Sequence, residues 1–75
     1  MRYAIEKTRL SGRPDSEVRI TFHKEDAPSL LDALRIFSSR EKFELLGDLT
    51  TVGSEGVAAA RRNDDVFLLR FSAEE

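Results

Sequence analysis

The chain is expected to fold as one small α+β domain, an antiparallel sheet with a single helix packed on one face. Three observations carry that expectation. Within residues 17–24, Val18, Ile20 and Phe22 alternate strictly with Arg19, Thr21 and His23, and residues 30–37 repeat apolar side chains at three- and four-residue spacing. Residues 57–71 form two strand-like runs joined by Asn63-Asp64-Asp65. A period of 2 marks a half-buried strand, a period near 3.6 an amphipathic helix, and an Asn/Asp cluster between two runs a hairpin turn.

Tyr3–Leu10 reads as the first strand, followed by the turn formers Ser11-Gly12-Arg13-Pro14-Asp15-Ser16 and then by the alternating strand. Together they form an antiparallel hairpin, in which Val18, Ile20 and Phe22 are expected to face the core. Arg19, Thr21 and His23 then face solvent. Asp26 is the expected N-cap of the helix, with Pro28 in its first turn, where a missing N–H costs nothing. Leu30, Leu31, Leu34 and Phe37 make the apolar stripe, Asp32 and Arg35 face away from it, and the helix ends near Ser38-Ser39.

Residues 40–52 are read as a strand, because Phe43 and Leu45 alternate with Lys42 and Glu44 and Leu49–Val52 has strand composition. A short second helix, capped by Ser39 and ended by Gly47, remains the alternative. Gly53–Gly56 is a loop. In the closing hairpin Phe67, Leu69 and Phe71 point to the core, with Val66, Leu68 and Arg70 on the opposite face. Residues 72–75 are an acidic tail expected to fray. The order is β-β-α-β-β-β in a single domain, residues 1–75.

Composition bounds the chemistry. Seventy-five residues bury only about 60% of the surface the unfolded chain exposes, so stability is expected to be marginal. With no cysteine and one histidine, disulfides and thiolate metal sites are excluded, and no metal or other cofactor is expected. Good packing or self-association is left to stabilise the fold, which makes a homodimer a live expectation. No stretch resembles a signal peptide or reaches the 18 or so apolar residues of a membrane span, so no membrane contact and a cytoplasmic location are expected. Residues 1–24 carry six Lys/Arg against three acids, and residues 25–75 six against eleven, a charge asymmetry that can mark a polar contact surface.

Catalysis finds little support. His23 is the only histidine and sits on the expected solvent face of a strand, and the Glu25-Asp26 and Asp64-Asp65 doublets fall where a helix start and a hairpin turn are expected. Gly53-x-x-Gly56 lacks the Lys-Ser/Thr and the helix start of a phosphate-binding loop. A non-enzymatic binding protein is the expectation. Its contact surface is the sheet face away from the helix, built from Arg19, Thr21, His23, Arg61, Arg62, Val66, Leu68 and Arg70. A protein partner fits the apolar Val66 and Leu68 rimmed by arginines. Nucleic acid on the same arginines is the alternative, opposed by a pI near 5.4 and by aromatics assigned to the core.

The length and the β-β-α opening resemble ubiquitin-like folds, although the C-terminal Gly-Gly needed for conjugation is missing. In size, acidity and class the chain is also similar to phage-encoded inhibitors of bacterial machinery, including blockers of CRISPR surveillance complexes. That resemblance implies a protein that occupies a surface of a larger, nucleic-acid-handling complex.

Overall fold

The computed structural model describes residues 1–11 and 19–74. The turn from Gly12 onward, Val18 and Glu75 lie outside the described residues; Ser72 and Ala73, expected to fray, instead continue the last strand against Ala4 and Tyr3, and the Glu74 N–H donates to the Arg2 carbonyl at 2.9 Å. The elements are β1 (Arg2–Ser11), β2 (Ile20–Asp26), α1 (Leu30–Glu41), β3 (Glu44–Leu45), β4 (Thr50–Val52), β5 (Glu55–Arg62) and β6 (Asp65–Ala73). Every pairing is antiparallel, in the order β2-β1-β6-β5, with β3 and β4 sharing the outer side of β5. The expected α+β architecture is present. The ambiguous stretch 40–52 resolves into the end of α1 and two very short strands rather than one strand or a second helix. Among the described residues no helix is long and apolar enough to cross a membrane.

Register decides the faces, because directly paired residues point to the same side of a sheet. Ile5 pairs with both His23 and Phe71, and Phe71 pairs with Gly56. This row lies under α1. The core consists of Tyr3, Ile5, Ala58, Ala60, Phe67, Leu69 and Phe71 from the sheet, packed against Ala27 and the helix residues Ala33, Leu34 and Phe37. Phe37 is fully buried and meets Phe71 edge-on at 6.3 Å between ring centroids. A Cβ on Gly56 would lie 2.5 Å from Cδ2 of Leu30, so α1 approaches β5 where the strand has no side chain.

The helix starts later than expected. Ser29 is its N-cap: its Oγ accepts from the Asp32 N–H at 3.2 Å and donates to Asp32 Oδ2 at 3.0 Å. Asp26 instead ends β2 and receives the Arg2 Nε–H at 3.1 Å. At the other end α1 passes Ser38-Ser39 and stops at Lys42, whose φ of 59° is left-handed. Leu31, expected in the stripe, is exposed, and Ala33 takes the buried position.

The largest correction concerns β2. Ile20 and Phe22 point away from α1, whereas Thr21 and His23 point beneath it. The cause lies in β1. Tyr3 and Ile5 are the larger apolar pair on that strand, so their side faces the helix, and register then places His23 and Thr21 there too. An edge strand contributes least to the core, and its own pattern is overruled by its neighbour.

Candidate protein-binding face

With one helix covering one side, the opposite side of the sheet lies open. Three cross-strand rows build it: Phe22–Glu6–Arg70–Val57, Ile20–Thr8–Leu68–Ala59 and Lys24–Ala4–Ser72–Glu55. Phe22 is 77% exposed and Ile20 48%, while Val57, Ala59, Val66 and Leu68 are half-buried by their neighbours. Beside Phe22 lies a shallow depression of about 190 Å³, lined by Ala4, Glu6, Glu55, Arg70 and Ser72. An aromatic ring left this open costs solvation free energy in the isolated chain, and burying a Phe stabilises by about 1.5–3 kcal/mol.

The charges of this face are matched to one another. Arg70 Nε donates to Glu55 Oε1 at 2.9 Å, and its Nη1 lies 4.0 Å from Glu6. Arg61 donates to Glu44 at 3.2 Å, and Lys24 Nζ is 3.1 Å from Glu74. The Arg2–Asp26 hydrogen bond holds the Asp26 carboxyl below the usual carboxylate range and raises the Arg2 guanidinium in turn. These pairs are exposed and add little stability. Their effect is to leave apolar groups within a rim of self-neutralised charge.

The eight residues expected on one surface divide between two. Arg61, Val66, Leu68 and Arg70 lie on the open face as expected. Thr21, His23 and Arg62 lie on the helix side and Arg19 beside them, which corrects the assignment of Thr21 and His23 to the open face. His23 packs on Phe37 at 5.1 Å between centroids, with Nε2 3.0 Å from Thr21 Oγ1. Burial, and secondarily the charge of Lys7, lowers its pKa.

Arg19, Thr21 and Arg62 join Lys7, Arg9, Asp65 and Phe67 around a groove of about 250 Å³ near the C-terminal end of α1. Lys7 and Arg62 lie over the rings of both Phe43 and Phe67, the Arg62 Cζ 4.9 Å from the Phe43 centroid. Both cations also serve the helix end: Lys7 Nζ donates to Glu41 Oε1 at 3.4 Å and Arg62 Nη1 to the Glu41 carbonyl at 3.1 Å. A second groove, of about 490 Å³, opens at the other end of α1 between Tyr3, Leu30 and Gly53.

Sequence reasoning missed Ile20 and Phe22 as surface residues. The available signal was that β2 had to share its inner side with whichever side of β1 carried Tyr3 and Ile5. No family model matches the chain, and no curated protein or solved structure matches it significantly.

Proposed function

We propose that this chain is a non-enzymatic binding module that lays the open face of its sheet on the apolar surface of a protein partner. The observation that carries the reading is Phe22, a large aromatic ring 77% exposed amid charges already paired with one another. Interface energy concentrates in a few aromatic or aliphatic groups surrounded by polar contacts that exclude water, and this face has that anatomy. The flatness of the face suits occlusion of a partner's surface better than enclosure of a small molecule, in keeping with an inhibitor.

The test is affinity capture from host lysate with nuclease, comparing the parent chain with Phe22→Asp and Leu68→Asp. A discrete protein held by the parent and lost by both variants supports the reading. Retention by both variants refutes it.

The nucleic-acid alternative has one favourable observation, the convergence of Lys7, Arg9, Arg19 and Arg62 on a single groove. It requires an affinity for single-stranded oligonucleotides that falls steeply with salt and is weakened by Arg19→Glu. A flat salt response removes it.

A further inference from the structure

The two edges of the sheet are unlike. Beyond β5 the edge is broken into β3 and β4, two and three residues long, with Gly47 between them at a φ of 148°. Interruption of this kind is how proteins blunt an edge against pairing. On the other side β2 is a regular strand of seven residues, and no strand lies beyond it among the described residues.

The backbone of β2 shows which groups it offers. Arg9 N–H donates to the Arg19 carbonyl at 2.7 Å and Ala27 N–H to the Met1 carbonyl at 2.9 Å. Hydrogen-bonded pairs recur at every second residue of an antiparallel ladder, so Thr21, His23 and Glu25 spend their main-chain groups on β1. Ile20, Phe22 and Lys24 turn theirs outward.

We propose that β2 pairs antiparallel with β2 of a second copy of this chain, joining two sheets across a twofold axis at Phe22. Three observations select a second copy. First, in that register Phe22 meets Phe22, Ile20 lies against the aliphatic stem of Lys24, and Thr21 lies opposite His23. Second, Arg19 falls opposite Glu25 on each side of the axis, and no like charges are opposed. Third, the helix layer presents an exposed apolar side chain, Ile36, at the same edge. Arg40 Nη1 lies 2.8 Å from Glu25 Oε1 on β2, near enough to pair charges though off-line for a hydrogen bond. Ile36, one turn earlier on the same flank, is 42% exposed. The twofold brings Ile36 of both helices toward each other above the joined strands, so main chain, open face and helix layer all contribute.

The inference goes beyond the protein-binding reading and is tested separately from it. Sedimentation equilibrium of the purified chain up to on the order of 100 µM should give a dimer, within reach of a small interface. Lys24→Pro deletes an outward N–H and leaves the bonds to β1 in place, so it should sediment as a monomer with an unchanged circular dichroism spectrum. Lys24→Met, which removes the charge but keeps the outward N–H and an unbranched apolar stem, should remain dimeric. Phe22→Cys should form an intermolecular disulfide on mild oxidation, because hydrogen-bonded partners sit about 5.5 Å apart at Cα. A parent chain that stays monomeric overturns the proposal, as does a dimer that neither loses association in Lys24→Pro nor cross-links through Phe22→Cys. Leu68→Asp, two strands away, should leave sedimentation unchanged whether or not it affects partner capture.

Discussion

The imidazole of His23 lies 5.1 Å from the ring of Phe37, inclined at 55°, beneath the helix that covers the sheet. The only histidine of the chain is therefore a packing residue, and its titration is tied to folding. Burial and Lys7 lower its folded pKa below the usual value of about 6.5, outweighing the opposing effect of Glu41. The unfolded chain accordingly takes up a proton first. Stability should be complete above about pH 6.5 and decline as pH falls below it toward the lowered folded pKa. Urea midpoints at about pH 7.5 and 5.5 check this, since carboxylates titrate largely below that window. The parent should lose stability between the two, and His23→Gln should lose less.

Phe37 touches His23, Phe43 and Phe71 and is fully buried. Phe37→Ala should cost about 3–5 kcal/mol, most of the stability available to a domain of this size. Thermal unfolding followed by circular dichroism should show it unfolded or nearly so at 25 °C. Phe37→Leu, closer in volume, should fold with a lowered midpoint.

Ser38 is a polar residue on the buried face of α1, and its hydroxyl has no hydrogen-bond partner among the described residues. Ser38→Ala removes an unsatisfied group and supplies a better helix former, so it should raise stability by about 0.5–1 kcal/mol. A lower urea midpoint in the variant would show that the hydroxyl is satisfied in solution.

Phe22 should behave in the opposite way to Phe37. Phe22→Ser removes a ring that is largely outside the core, and in the monomer it should change unfolding free energy by no more than about 0.5 kcal/mol. Binding of an apolar fluorescent dye should fall in the same variant. A loss as large as that of a core phenylalanine would mean the open face is covered.

Much of the fold was legible because pattern and position agree. Phe67, Leu69 and Phe71 occupy alternate positions on a central strand, and all three are buried as their spacing implies. The site was less legible because the period of a strand names two faces without ranking them. On β2 the apolar pair Ile20 and Phe22 argued for the inside, and only pairing with β1 overrules it. The helix start was missed for a related reason. Asp26 and Ser29 are both capping residue types, but Ser29 is followed three residues later by Asp32, and that reciprocal pair decides between them. The break between β3 and β4 had a visible cause in Gly47-Asp48, poor strand formers inside a strand-like stretch.

The fragmented border formed by β3 and β4 has a consequence for growth. A sheet that could recruit strands on both sides would template its own extension into fibres. Here one side is broken into strands of two and three residues, so the proposed pairing at β2 would use the longer, regular border that each molecule offers among the described residues. In the proposed dimer, assembly by strand addition would therefore terminate at two.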